Sequence, residues 1–333
     1  MHEVRVVSGK GLGVFATKFI PRGTRIFSER PLLSITHQED SSHIYSAAKR
    51  LATKDRAELM RLSFHTNKEL EATRRSAALL FTVKSTIATA LHAFSRGAKA
   101  TTVPPNEGLD SIADHVAVLN IFRSNAFRLG LGQGQTAEGI SHAVFAGISR
   151  INHSCVPNAQ ANWHGILERF NVHATRDIEV AEEVSLAYLP ENGDLRETRM
   201  KRLSDGYGFE CGCPACDLSK ARGRKGEERR VAVKKLIETY ALNMMRPGAV
   251  KAQDGELKTI MAWIEMYESE GIAGRELASL YDAAVSILMD QCKHKEALVL
   301  AGLSLQLSED CVGKDHPEVL KSRQTIAQLR YFL

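Results

Sequence analysis

The sequence predicts an α+β fold, in which a β-rich core with a helical insertion precedes an all-helical carboxyl-terminal region. Short stretches of alternating apolar and polar residues, broken by Gly and Pro, occupy residues 3–36 and return at 125–190. Apolar residues recur at helical spacing in residues 43–95 and again from about 226 to 331. At 333 residues the chain is long enough for two or three domains.

Short strands are expected in both β-rich regions. In the first region they are predicted at 4–7, 14–16 and 24–27, with Gly and Pro marking the turns between them. In the second region they are predicted at 125–129, 143–145, 167–174 and 184–188.

Helices account for most of the remaining sequence. Three or four are predicted within 43–95, and another runs from about 109 to 123. The carboxyl-terminal region predicts helices near 226–242, 254–268, 275–290, 294–308 and 316–331, the last with Pro317 in its first turn. Helices of this size suit either an array of helical hairpins of the TPR type or a plain bundle. We expect them to pack back onto the β-rich core, since their apolar faces need a partner.

Charge and hydropathy limit the functional classes. Lys and Arg number 44 and Asp and Glu 39, a net charge of +5 that is too weak to indicate nucleic-acid binding. The basic stretch 220–235 is interpreted as a solvated helix face interrupted by Glu227 and Glu228, rather than as a nuclear address or nucleic-acid patch. No apolar run is long enough for a transmembrane helix, and the start lacks signal-peptide features. We therefore expect no membrane association and a nuclear or cytoplasmic location.

Three of the six cysteines form a C-x-C-x2-C motif at Cys211, Cys213 and Cys216. In a reducing compartment such a cluster binds metal more often than it forms disulfides. Tetrahedral zinc needs a fourth ligand, and Cys155 is the best candidate because it lies in the unusual string Asn152-His153-Ser154-Cys155. The sequence thus predicts one structural zinc site, with free loop thiols as the alternative.

Four segments, taken in this order, resemble the SET-domain protein lysine methyltransferases. They are residues 10–31, with Lys10-Gly11-Leu12-Gly13-Val14-Phe15 near its start, the Asn-His-Ser-Cys string at 152–155, the stretch 183–188 ending in Tyr188, and the cysteine-containing stretch 207–216. Each segment is weak evidence alone, whereas the joint match is specific. The resemblance covers about half of the chain, at 1–36 and 115–217.

Within that family, the helical block and the long helical carboxyl terminus look most like the SET-and-MYND (SMYD) branch. Residues 37–124 contain no cysteine, so the chain lacks the MYND zinc finger of that branch. The resemblance implies a SET domain at 1–190 with a helical insertion at about 40–124. A zinc-binding post-SET segment follows at 191–217, and a helical carboxyl-terminal domain at 218–333.

The resemblance implies transfer of methyl groups from S-adenosyl-L-methionine to lysine side chains of a protein or peptide substrate, histone or non-histone. The alternative is a catalytically weak SET-fold module for protein interaction. We expect the chain to act as a monomer, with its helical region forming one wall of the substrate cleft.

The same resemblance assigns roles to individual residues. Tyr188 is implied as the catalytic residue whose hydroxyl orients the substrate amine, and zinc at the four cysteines would fasten the post-SET segment to the core. The implied cofactor-binding residues are Lys10, Gly11, Leu12, Asn125, Asn152, His153, Tyr207 and Phe209.

Overall fold

The computed structural model describes residues 1–36, 41–66, 68–94, 105–129, 140–190, 192–245 and 253–331. The chain divides into two compact units. The first comprises residues 1–30, 150–205 and 209–333, and the second comprises residues 31–149 and 206–208. The domain boundaries expected at residues 190 and 217 stay predictions.

The described residues form strands β1 (His2–Val7), β2 (Gly11–Ala16), β3 (Arg25–Glu29), β4 (Leu33–Thr36), β5 (Phe127–Arg128), β6 (Ile140–Val144), β7 (Asn152–His153), β8 (Ala159–His164), β9 (Arg169–Ala174) and β10 (Glu183–Leu186). They also form helices α1 (Ser41–Lys49), α2 (Thr53–Met60), α3 (Lys68–Phe94), α4 (Pro105–Asn125), α5 (Arg196–Tyr207), α6 (Ala221–Met244), α7 (Gln253–Glu270), α8 (Arg275–Asp290), α9 (His294–Val312) and α10 (Pro317–Tyr331). These elements confirm the predicted α+β class.

Two sheets lie in the first unit. One has the strand order β1-β2-β10-β7, in which β1, β2 and β10 are antiparallel neighbours and β10 runs parallel to β7. The other is antiparallel, with the order β3-β9-β8. The sequence pattern did not predict β8, because its buried positions include the polar residues Asn162 and His164. Asn162 is satisfied there by donating from Nδ2 to the carbonyl of Cys311, at 2.7 Å.

The second unit contains the sheet β4-β6-β5 and helices α1 to α4. Strand β4 supplies Leu33 and Ile35 to its apolar core, and Leu59 and Ile121 come from α2 and α4. All four side chains are buried, so the helical insertion has a core of its own.

Helices α6 to α10 confirm the five helices predicted for the carboxyl-terminal region, and α10 begins at Pro317. This helical region packs on the β-strands of the first unit through α9, which lies against β8 and β9, as expected. Asp310 of α9 forms an ion pair with Arg22 at 2.5 Å, and Asp315 forms one with Arg25 at 2.6 Å. His316 is hydrogen-bonded to the Trp163 carbonyl of β8, at 3.1 Å.

The basic stretch on α6 is exposed for the most part, as predicted, with one exception. Arg230 is fully buried, and its Nη1 lies 3.3 Å from a carboxylate oxygen of Glu270, which is also buried. The interpretation as a solvated face is therefore wrong for Arg230.

Helix α5 was not predicted from the sequence, because its residues are strongly polar. Among the described residues, no helix is both long and apolar enough to cross a membrane.

Candidate active site and cysteine cluster

The predicted residues of the first segment and of the Asn-His string meet beside strand β10. Asn152 donates from Nδ2 to the Leu12 carbonyl at 3.0 Å and to Oε1 of Glu183 at 2.7 Å. The other oxygen of Glu183 accepts from Nζ of Lys10, at 3.0 Å. Glu183 thus bonds two predicted residues, Lys10 and Asn152, although no role was predicted for Glu183 itself. Its only signal was its place in the stretch that ends at Tyr188.

Two glycines make this arrangement possible. Gly11 has φ +78°, a left-handed conformation that most other residues avoid. At Gly13, a Cβ atom would come within 2.9 Å of Asn152 Nδ2 and 2.8 Å of Glu183 Oε1. Any side chain at residue 13 would therefore displace the amide of Asn152 from strand β2. Lys10 and Gly11 are exposed, so a ligand can reach their backbone groups.

His153 contacts both Tyr188, which follows strand β10, and Cys155. Its Nδ1 accepts a hydrogen bond from the backbone N–H of Tyr188 at 3.0 Å, and its Nε2 lies 3.3 Å from Sγ of Cys155. These contacts define a neutral ring with its proton on Nε2, donated to the sulfur. Burial lowers the pKa of His153 to about 4, so the ring stays neutral at physiological pH.

Tyr188 follows β10 rather than lying in it, because the strand ends at Leu186. The predicted strand 184–188 is therefore too long by two residues. The Tyr188 hydroxyl donates to the Ile151 carbonyl at 2.7 Å. Its ring centroid lies 5.3 Å from that of His153 and 6.4 Å from that of Phe209. Tyr188, His153 and Phe209, which were predicted from three separate segments, are thus brought together.

The four cysteines of the predicted metal site also converge. The Sγ atoms of Cys155, Cys211, Cys213 and Cys216 all lie within 4.8 Å of one another, and those of Cys155 and Cys216 are 3.6 Å apart. Four thiolates around one ion at about 2.3 Å would be separated by about 3.8 Å, so the sulfurs have suitable spacing for a tetrahedral site. Such a group of side chains could hold a metal ion.

A buried arginine adjoins this cluster. Arg199 of α5 has no exposed side-chain surface, and its Nη2 lies 3.6 Å from Sγ of Cys216. Arg199 also contacts the Asp194 carbonyl and the carboxylate of Glu227, the latter at 4.0 Å. Arginine keeps its charge when buried, and a buried charge needs a nearby opposite charge. The carboxylate of Glu227 supplies part of that charge, and metal-bound thiolates would supply more. No sequence pattern pointed to Arg199, because a charged residue on a polar helix is normally exposed.

Two of the predicted cofactor residues, Asn125 and Tyr207, belong to the second unit. Asn125 donates from Nδ2 to the carbonyls of Ser63 and Ile121, both at 2.8 Å, and so ends helix α4. Burial raises the pKa of Tyr207, which therefore keeps its proton at neutral pH. Cofactor contact by these two residues stays a prediction.

A family model for the SET domain matches residues 11–189, which is more than half of the chain. The chain therefore belongs to the SET-domain family. The matched region contains Gly11, Asn152, His153, Cys155 and Tyr188, and so includes most of the geometry described above.

Curated relatives in the family agree with this assignment. The chain is 29% identical to histone-lysine N-methyltransferase set5 of Schizosaccharomyces pombe over 284 residues, which are 85% of this chain and 70% of set5. It is 41% identical to human histone-lysine N-methyltransferase SMYD3 over 73 residues, which are 22% of this chain and 16% of SMYD3. The chain thus spans a small part of the SMYD relative's length.

A solved structure of Rubisco LSMT bound to AdoMet matches with 16% identity and a TM-score of 0.39, over 99% of this chain and 87% of that one. This likeness is too weak to carry a functional statement.

Proposed function

We propose that this protein transfers methyl groups from S-adenosylmethionine to lysine side chains of a protein substrate. The observation that carries the proposal is the position of Tyr188 in a SET-family chain. Its backbone is held by His153 and its hydroxyl by the Ile151 carbonyl, while Phe209 lies beside its ring. An aromatic hydroxyl fixed at both ends can orient an incoming amine.

The chemistry requires a neutral amine, whereas lysine has a pKa of about 10.4 in water. An apolar channel and a nearby sulfonium charge both favour loss of the proton. When bound, S-adenosylmethionine supplies a methyl group on a positively charged sulfur. The amine nitrogen forms the new bond to the methyl carbon as the carbon–sulfur bond breaks, and the extra proton leaves to water. S-adenosylhomocysteine is released, so atoms and charge balance without a protein base.

Tyr188 contributes alignment in this reaction. Because its hydroxyl proton is donated to Ile151, the oxygen acts as an acceptor toward an amine N–H. Accepting one N–H turns the nitrogen lone pair in a defined direction, and alignment of this kind accounts for much of the rate in displacement reactions. His153 fixes the tyrosine backbone and remains neutral, so it does not repel the cationic cofactor.

The cofactor-binding proposal rests on residues 10–12 together with Asn152 and His153. The exposed backbone at Lys10 and Gly11 is supported from behind by the bond from Asn152 to Leu12. Such a rigid backbone edge is suited to hydrogen-bonding the polar parts of a nucleoside–amino acid ligand. We propose that Phe209 completes this part of the site.

We further propose that the metal held by the four cysteines is one structural zinc. A set of four thiolates is characteristic of structural zinc, and the site would tie the segment after Phe209 to Cys155 in the central motif. A thiolate site of this kind persists in reducing compartments, which supports a nuclear or cytoplasmic location.

The test is transfer of a labelled methyl group from S-adenosylmethionine to a lysine-containing protein and peptide array, with histone and non-histone members. Zinc-loaded wild-type chain should label lysine in at least one member, and Tyr188→Phe should reduce the labelling by about 10-fold or more. Calorimetry should detect S-adenosylhomocysteine binding to both proteins.

Binding of the cofactor without transfer would instead favour the interaction module. Failure of the zinc-loaded chain to bind either cofactor form at millimolar concentration would contradict the proposal. Because Tyr188→Phe is expected to keep cofactor binding, a parallel loss of binding would mean that the variant is misfolded.

A further inference from the structure

Strand β1 is an edge strand of its sheet. In the order β1-β2-β10-β7 it has β2 as its single partner among the described residues. Residues 3–6 are exposed, including the apolar Val4 and Val6, at 48% and 83%. A free strand edge with exposed apolar side chains is a template for pairing with another strand.

The ladder with β2 shows which backbone groups point away from the sheet. The carbonyls of Met1 and Val7 accept hydrogen bonds from Thr17 and Lys10, so they face β2. In an antiparallel pair the direction alternates from one residue to the next. The backbone N–H and C=O groups of residues 3 and 5 therefore also point toward β2. Those of residues 2, 4 and 6 point outward, away from the sheet.

The outward groups permit self-pairing in a few registers. Two copies can pair antiparallel about a twofold axis when even-numbered residues stand opposite even-numbered residues. Centring the pair on Glu3 sets two carboxylates against each other, and centring it on Arg5 does the same for two guanidinium groups. Centring it on Val4 sets Glu3 of each copy opposite Arg5 of the other, which gives two pairs of opposite charge.

The side chains fit the register centred on Val4. Val4 would lie opposite Val4 of the second copy and gain an apolar neighbour, and Val6, which is 83% exposed, would be covered by the ring of His2. Glu3 and Arg5 already share one face of the strand, where their side chains lie 3.1 Å apart and Arg5 stacks on the Phe15 ring at 4.1 Å. Their charged groups are thus held near the positions that the pairing requires.

We propose that two copies of this chain associate through antiparallel pairing of their β1 strands, centred on Val4. The pairing joins two four-stranded sheets into one of eight strands across the twofold axis. It differs from the monomer expected from the sequence, and it does not depend on the proposed methyl transfer.

Sedimentation equilibrium of the whole chain, with any tag at the carboxyl end, tests the association. The wild-type chain should show a reversible monomer–dimer equilibrium between about 1 μM and 1 mM, the range of weak to moderate association constants. Glu3→Arg sets like charges opposite each other twice and should raise the dissociation constant by about tenfold. The double exchange Glu3→Arg with Arg5→Glu restores opposite charges and should return it to the wild-type value.

A second variant tests the backbone pairing. Val4→Pro removes one outward N–H at the centre of the interface, which no strand of the chain's own sheet uses, and proline is tolerated on such edges. It should abolish the dimer while leaving the circular dichroism spectrum and zinc content of the chain unchanged. Val4→Ala keeps the N–H and should retain a weakened dimer.

A wild-type chain that stays monomeric to about 1 mM overturns the proposal, since that range covers the association expected for such an interface. A dimer that persists unchanged in both Glu3→Arg and Val4→Pro overturns the register. Binding to an unrelated protein strand instead of a second copy would appear as monomeric wild-type protein, and so it counts against the proposal as well.

Discussion

The two hydrogen bonds of His153 connect Tyr188 to the cysteine cluster, and replacing this histidine tests that connection. In His153→Ala the backbone N–H of Tyr188 loses its acceptor, which lies at 3.0 Å, and the sulfur of Cys155 loses a donor at 3.3 Å. An unsatisfied donor in such a site costs about 1–3 kcal/mol. At about 1.4 kcal/mol per factor of ten, the Tyr188 amide should exchange with solvent about 5- to 150-fold faster.

The variant His153→Asn distinguishes the effect of the contact with Tyr188 from that of the contact with Cys155. The side-chain oxygen of asparagine can occupy the position of Nδ1 and accept from Tyr188, but nothing replaces the Nε2–H that is donated to Cys155. We expect the Tyr188 amide to remain protected in this variant. Affinity for zinc should fall by about 10- to 100-fold in both variants, as for other residues that hydrogen-bond to metal ligands. Hydrogen exchange followed by NMR measures the first effect, and competition with a chromogenic chelator measures the second.

His164 provides the matched control. It is also buried, and its Nδ1 also accepts a backbone N–H, from Leu167 at 3.3 Å, but it contacts none of the four clustered cysteines. His164→Ala should therefore leave exchange at Tyr188 and zinc affinity unchanged. Equal exchange rates at Tyr188 in wild type and His153→Ala would refute the reasoning. So would an equal acceleration in His164→Ala, because the effect would then be one of general destabilisation.

The remaining predictions concern stability and metal content. Glu270→Gln leaves the buried guanidinium of Arg230 without its carboxylate and should lower the free energy of unfolding by about 3–5 kcal/mol in urea denaturation. Glu318 forms an exposed ion pair with Arg275, so Glu318→Gln should lower the free energy of unfolding by less than about 1 kcal/mol. Burial lowers the pKa of His173 from 6.5 to about 4, so the unfolded chain binds more protons between these values. Stability should therefore fall by up to about 3 kcal/mol as the pH drops from 6.5 to 4, with a smaller slope in His173→Gln. Cys213→Ser should reduce bound zinc from about one per chain toward none in elemental analysis.

Each of these expectations has a contrary result. Equal losses of stability in Glu270→Gln and Glu318→Gln would mean that burial does not govern the strength of the ion pairs. A pH profile that His173→Gln leaves unchanged would mean that another group titrates in that window. Full zinc content in Cys213→Ser would exclude Cys213 as a ligand.

Periodic and compositional signals in the sequence were sufficient for the elements that are held by local interactions. The five carboxyl-terminal helices were predicted within a few residues, because apolar residues recur at helical spacing through this region and Pro317 marks the start of the last helix. Strand β8 was missed for the converse reason. Its residue Asn162 is polar, and its hydrogen bonds with the Cys311 carbonyl, 149 positions along the chain, and with Arg275 make that burial favourable.

For the candidate site, the sequence by itself determined the four cysteines, the Asn152-His153 pair and Tyr188, since these residue types occur in motifs of characteristic order and spacing. The tertiary structure decided how they are joined. Glu183, Gly13 and Arg199 gain their importance from atoms that are distant in sequence: the Asn152 amide for the first two, and the Cys216 sulfur for the third. The exposed edge of β1 is likewise a property of strand order. A local pattern specifies which conformation a segment prefers, whereas burial, counter-charges and free edges depend on which segments become neighbours in the folded chain.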